Sequence, residues 1–207
     1  MIEAVLFDFG GVILTSPFET FADYEIEAGL PQNTIRTLNS TNPDTNAWAK
    51  FERREINHEE FIELFQAEAT EQGFVVDARK LIENLHGALR PSMVEALRRC
   101  SNKLRTAMLT NNITPIGSQP LSSDVQEVVE MFDLIIESSV EGYRKPDQKF
   151  YDIACERLSI EPEKCVFLDD LGVNLKPARA MGMTTIKVVD PDQAIAELSA
   201  VVGFSLN

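Results

Sequence analysis

Apolar residues along the chain fall into two rhythms. Five short runs are apolar almost without interruption: IEAVLFD at 2–8, RTAMLT at 105–110, FDLIIE at 132–137, KCVFLD at 164–169 and TTIKVV at 184–189. Runs of this length that stop at a polar residue predict buried parallel strands, covered on both faces. Between the later runs the apolar positions recur at helical spacing instead. PSMVEALRRC at 91–100 has Pro91 at a first helical position and Met93, Val94 and Leu97 on one side. DQKFYDIACERL at 147–158 and DQAIAELSAVV at 192–202 carry comparable stripes, and LKPARAMG at 175–182 ends on Gly182 with Pro177 in its first turn. Alternation of this kind predicts an α/β, Rossmann-like parallel sheet with helices on both faces.

Residues 16–90 break the alternation. They hold no convincing β-run, but HEEFIELFQAEA at 58–69 places Phe61, Leu64 and Phe65 on one side. DARKLIENLHGAL at 77–89 does the same with Leu81, Leu85 and Ala88, with Asp77 as a candidate N-cap. The expectation is a helical cap over 16–90, inserted after the first strand into a catalytic core made of 1–15 and 91–207.

Composition narrows the class. The 207 residues are 44% hydrophobic and 25% charged, an ordinary soluble globular balance. A net charge of −14 argues against a nucleic-acid partner, because a phosphate backbone would be repelled. Cys100, Cys155 and Cys165 form no CxxC pair, so the reading is three small core residues in a reducing compartment. The apolar N-terminus carries Glu3 and Asp8 and lacks a basic leader, and no stretch approaches membrane length. The expected location is therefore cytoplasmic, with no membrane partner. Oligomeric state is not written in the pattern.

Candidate chemistry lies at the strand ends, where open α/β sheets bind ligands. The first run ends at Asp8, followed by Phe9-Gly10-Gly11; the second at Thr110, followed by Asn111-Asn112; the fourth at Asp169-Asp170. Lys145 lies in GYRKPD, ahead of the 147–158 helix. Singly, each is ordinary turn or capping chemistry. Together they bring three carboxylates, a hydroxyl and an ammonium to one edge. Such acids repel one another unless a cation sits among them. A hard, oxygen-seeking Mg²⁺ suits that set, with Lys145, the Thr110 hydroxyl and nearby backbone amides left to hold phosphoryl oxygens. Asp8 would then attack phosphorus and form an aspartyl-phosphate that water hydrolyses.

LFDFGGVIL, AMLTNN, GYRKPD and FLDDLGVN resemble, in order and spacing, the four motifs of the haloacid dehalogenase-like superfamily. Within it the chain is similar to a subgroup holding the N-terminal phosphatase domain of soluble epoxide hydrolases and a related domain of acyl-CoA dehydrogenase fusion proteins. The resemblance implies Asp8 as nucleophile and metal ligand, Gly10 offering its carbonyl to Mg²⁺, and Thr110 with Asn111 binding phosphate. It implies Lys145 as the cation that neutralises the Asp8–phosphate pair. Asp170 is the implied direct metal ligand, and Asp169 is a ligand or supports one; Asn174 supports the site or caps a helix. The implied substrate is a small phosphorylated metabolite.

One position departs from the family. Its phosphatases carry a second acid two residues after the nucleophile, and here that residue is Gly10. A missing general acid–base removes about 10² to 10⁴ in rate. Glu19, Asp23, His58 and His86 are the cap residues weighed as substitutes. Three other readings follow: a metal-independent 2-haloacid dehalogenase, a non-catalytic phosphate-binding module, and a phosphotransferase that exploits a long-lived intermediate. For the substrate, Phe18, Phe21, Trp48, Phe51 and Phe65 with Arg36, Arg53 and Arg54 are weighed as an apolar slot with a basic rim, against cap core and solvated arginines.

Overall fold

The computed structural model describes residues 1–83, 85, 87–116 and 121–206. In chain order the elements are β1 (Ala4–Phe7), α1 (Pro17–Ala28), α2 (Thr34–Ser40), α3 (Ala47–Glu52), α4 (His58–Glu71), α5 (Ala78–Glu83), α6 (Pro91–Ser101), β2 (Arg105–Thr110), α7 (Ser123–Val129), β3 (Leu134–Glu137), α8 (Ser138–Glu141), α9 (Gln148–Leu158), β4 (Cys165–Asp169), α10 (Gly172–Ala180), β5 (Thr184–Lys187) and α11 (Pro191–Val202). All four strand pairings are parallel, in the order β3-β2-β1-β4-β5. The Rossmann-like expectation holds.

Both faces of the sheet are buried, and the period of two decides which residue goes where. Val5, Phe7, Met108, Val166 and Leu168 face one layer with Met93 and Leu97 of α6 and Ile195 and Leu198 of α11. Ala4, Leu6, Ala107, Leu109 and Phe167 face the other, against Phe150, Tyr151 and Ala154 of α9 and Leu175 and Ala178 of α10. Cys100, Cys155 and Cys165 are free and buried, as their surroundings in the sequence imply.

The five helices after β1 share a third hydrophobic cluster of their own, centred on Phe21, Leu38, Phe51, Phe61, Phe65 and Leu81. The segment leaves and rejoins the core at one place. Leu14 bridges antiparallel to Leu89, the Thr15 amide donates to the Ala88 carbonyl at 2.8 Å, and the Arg90 amide donates to the Ile13 carbonyl at 2.9 Å. Of the expected 77–89 helix, Ala78–Glu83 is helical, Asn84 and His86 lie outside the described residues, and Asp77 does cap it by accepting from the Lys80 amide. Among the described residues, no helix is long and apolar enough to cross a membrane.

Candidate active site

Register places the chemistry. Phe7 pairs with Met108 on one side and Leu168 on the other, so Asp8 emerges from the central strand beside Asp169, with Thr110 at the end of β2. The Asp8 amide donates to the Leu168 carbonyl at 2.9 Å, which fixes its height against β4. Carboxylate oxygens of Asp8, Asp169 and Asp170 lie within 4.8 Å of one another. Lys145 Nζ reaches Asp8 Oδ1 and Asp169 Oδ2, each at 2.8 Å, and is 1% exposed.

Each acid is held differently. Asp8 Oδ1 also accepts the Phe9 amide at 2.7 Å. Asp169 is wholly buried and saturated: the Leu171 amide donates at 2.8 Å, and Asn174 Nδ2 lies 3.0 Å from both of its oxygens. Tyr151 in turn donates to the Asn174 carbonyl at 2.6 Å. Asp170 is less enclosed, and Ser16, the N-cap of α1, donates to its Oδ2 at 3.3 Å. Gly11 makes room for it. With φ of +84°, Gly11 adopts the left-handed conformation, and a Cβ there would lie 2.3 Å from Asp170 Oδ2.

Three acids facing one ammonium leave an excess of negative charge. Burial pushes the Asp8 carboxyl well above the usual carboxylate range; Lys145 pulls it back, and Asp169 and Asp170 push it further. Asp170 is raised by burial and then by Asp169. Burial alone would lower the Lys145 ammonium, but Asp169 and Asp8 outweigh it and hold it above its ordinary value. An all-oxygen cluster in which two acids resist ionisation is matched to a hard divalent cation.

The structure thus brings Asp8, Lys145, Asp169 and Asp170 together. Asn111 acts through its carboxamide, which brackets Lys145: Nδ2 donates to the Lys145 carbonyl at 3.0 Å and Oδ1 accepts the Lys145 amide at 2.9 Å. The space beside Gly10 meets Pro17 of α1 at 3.6 Å, an ordinary contact distance. The weighed substitutes for a second acid lie elsewhere. Glu19 is exposed and pairs with Arg90, Asp23 is exposed, and His58 packs edge-on to Phe51; His86 falls outside the described residues. The aromatic residues weighed for a substrate slot belong to the insert's own cluster. Trp48 meets Phe21, Phe61 and Phe65 edge-on, and Arg36 lies 4.9 Å from the Phe18 ring. Arg53 pairs with Glu55.

Two features escape the sequence reading. Glu137, at the end of β3, is buried and bonded to the loop after Thr110. Arg144, next to Lys145, meets Glu52 of α3 at 2.6 Å and donates to the Pro43 carbonyl at 2.9 Å. Only the spatial register reveals either, because a strand-end Glu before Ser-Ser and an Arg in a polar loop look like surface.

A parallel sheet with this order, an acid following its central strand and further acids ending the neighbouring one lead to a known class of hydrolase. Residues 2–182 match the haloacid dehalogenase-like hydrolases, and the chain belongs to that family. It is 35% identical over 212 residues to acyl-CoA dehydrogenase family member 10 of Mus musculus, covering 99% of this chain and 20% of that protein. It is 30% identical over 220 residues to bifunctional epoxide hydrolase 2 of Sus scrofa, covering 99% and 40%. The chain therefore spans a fifth to two fifths of these relatives' length. The sesquiterpene phosphatase astK of Aspergillus oryzae is 26% identical, with 97% of each chain covered. Among solved structures, a family enzyme of Bacteroides thetaiotaomicron in complex with magnesium and inorganic phosphate superposes with a TM-score of 0.60 at 18% identity, covering 90% of this chain and 94% of that one.

Proposed function

We propose that this protein is a Mg²⁺-dependent phosphatase of small phosphorylated metabolites, working through an aspartyl-phosphate on Asp8. The observation that carries the reading is the Asp8–Asp169–Asp170 cluster, two of its acids buried, with Lys145 at its base. A relative named as a phosphatase and a structural neighbour holding magnesium and phosphate support it. Residues 16–90 serve as the cap that selects the substrate.

Asp8, Asp170 and the Gly10 carbonyl would hold the cation, with Asp169 fixed behind them by Lys145 and Asn174. When bound, Mg²⁺ neutralises the acids and draws charge from the phosphoryl oxygens. Asp8 Oδ1 is engaged by Lys145 and the Phe9 amide, which leaves Oδ2 to attack phosphorus. The ester P–O bond breaks as the new P–O bond forms, and the leaving oxygen takes its proton from water, since residue 10 has no side chain to supply one. Thr110 and Lys145 steady the transferred group. A second water then attacks phosphorus, releasing phosphate and restoring the Asp8 carboxylate.

The test is phosphate release from phosphorylated sugars, acids, nucleotides and lipids, with Mg²⁺ and with EDTA. Asp8→Asn is expected to abolish release while leaving the fold intact; full activity in that variant refutes the mechanism. The dehalogenase reading lacks a use for three clustered acids, and chloride release from a 2-chloro acid in EDTA would revive it.

A further inference from the structure

The loop that follows Thr110 is bolted to the end of the neighbouring strand. Thr110 and Glu137 are paired across β2 and β3, so the Glu137 side chain leaves the sheet at the level where the loop begins. One oxygen, Glu137 Oε2, accepts both Asn112 Nδ2 and the Ile116 amide, each at 2.6 Å. Asn112 is gripped from the other side as well. Its amide donates to Ser138 Oγ at 3.0 Å, Ser138 Oγ donates back to its carbonyl at 3.1 Å, and Ser139 Oγ donates to its Oδ1 at 2.8 Å. Glu137, Ser138 and Ser139 are all buried and their loop partners half-buried, so these bonds are partly shielded from water.

Three functions of the proposed site hang on that loop. Thr110 and the amide after it are the phosphate-facing groups. Asn111 clamps the backbone of Lys145 on both sides. Ile113 packs against the cluster of the inserted helices. We infer that Glu137 is a positioning residue: by tying Asn112 and Ile116 to the end of β3, it sets the phosphate-holding turn at Thr110-Asn111 and, through Asn111, the height of Lys145. It contributes no bond to the three-acid cluster. Its loss is therefore expected to weaken phosphate far more than the metal, whose acids feel it only through Lys145. This inference rests on the phosphate-site reading given above.

Hydrogen bonds to a charged acceptor are about twice as strong as neutral ones, and a buried donor stripped of its acceptor costs more than the bond itself. Glu137→Ala strips the acceptor from the part-buried Ile116 amide and from one of the two Asn112 Nδ2 protons, the other still donating to the Thr114 carbonyl at 2.8 Å. The experiment is calorimetry on the full chain with two probes: Mg²⁺ alone, and orthophosphate at saturating Mg²⁺. Glu137→Ala is expected to weaken orthophosphate about tenfold or more and to leave Mg²⁺ affinity within about twofold, with KM raised more than kcat is lowered. Glu137→Gln, which keeps one acceptor oxygen, is expected to fall between the two. Asn112→Asp, which sets two carboxylates against each other, should weaken orthophosphate alone. Adding Glu137→Gln to it should recover part of the binding, because the Gln amide donates to the new acid while the Thr114 carbonyl still opposes it. These milder variants keep the test open if Glu137→Ala does not fold. Wild-type affinity for orthophosphate in Glu137→Ala, equal loss of metal and phosphate, or no recovery in the double variant overturns the role of Glu137. If the wild type itself fails to bind orthophosphate at saturating Mg²⁺, the phosphate-site reading falls and this role falls with it.

Discussion

At the residue scale, positions 10 and 11 have opposite demands. Gly11 is required by the backbone and by Asp170, which occupies the space a side chain would need. Gly10 is not constrained in this way; a Cβ there meets only the Pro17 ring at contact distance. A Cβ is therefore accommodated at residue 10, and Gly10→Asp would add a proton donor two residues from the proposed nucleophile. The expected outcome is a rise in kcat of tenfold or more toward the ~10²–10⁴ attributed to general acid–base catalysis. Steady-state phosphate release checks it, and an unchanged rate would mean that water or another group already suffices.

The charges of the same residues set a pH dependence. Asp8 and Asp170 both have raised pKa values in the folded chain. An acid with a raised folded value favours the folded state while protonated. That contribution is complete below the ordinary carboxylate range and is lost as pH rises through the raised values. Metal-free protein should thus lose stability from this source as pH rises. Mg²⁺, which binds the ionised acids, should restore more at pH 8 than at pH 5. Melting curves in EDTA and in Mg²⁺ at the two pH values give the answer; a metal shift that shrinks with rising pH would contradict it.

At the scale of elements, the strands were the most legible part, because a sheet covered on both faces needs uninterrupted apolar runs. The helices of the core followed from their stripes. The early insert helices were harder to read, since buried polar residues interrupt the pattern. Glu25 is buried in α1, where its carboxylate accepts the amides of Asn33 and Ile35 and so fixes the start of α2. Likewise α10 begins at Gly172, three residues ahead of the apolar stripe, because its first turn spends Asn174 on Asp169. The strand-end acids and Lys145 were readable as a set. Glu137 and Arg144 were not, because their partners lie 21 or more positions away.

The start of α4 rests on a purely local cap. Asn57 accepts the Glu60 amide at 3.1 Å while Glu60 accepts the Asn57 amide at 2.7 Å, a reciprocal cap ahead of Phe61 and Phe65. Asn57→Ala is expected to cost about 1 kcal/mol. Because α4 packs in the insert rather than on the sheet, thermal melts should shift downward while calorimetric Mg²⁺ affinity stays unchanged.

For the whole molecule, the question is what joins the inserted helices to the sheet. Glu52 holds both sides: its Oε1 accepts the Trp48 indole N–H at 3.0 Å, and its Oε2 meets Arg144 at 2.6 Å. Neither charged side chain is more than 19% exposed, and Arg144 is the neighbour of Lys145. Removing one partner of a buried pair strands the other, at about 3–5 kcal/mol when burial is complete. Glu52→Ala should approach the lower figure. Trp48 is the only tryptophan in the chain, so its emission reports on this joint directly. The expected result is a red-shifted emission with a lowered melting temperature, and an unmoved spectrum would show that the joint is not where the insert is held.

The paired backbone at Ile13–Thr15 and Ala88–Arg90 has a further consequence. The sheet meets the insert through a doorway two strands of chain wide, with both doorposts hydrogen-bonded to each other. What lies beyond can lengthen, shorten or be exchanged without asking β1 or α6 to move, as long as Ser16 keeps Asp170 and the Glu52–Arg144 contact is kept. On the function proposed above, the groups ending β1, β2 and β4 do the chemistry on one side of that doorway, and the choice of molecule is made on the other. On that function, transplanting a different helical segment between Ser16 and Ala88, with the Glu52–Arg144 contact rebuilt, would be a change of clientele, not of trade.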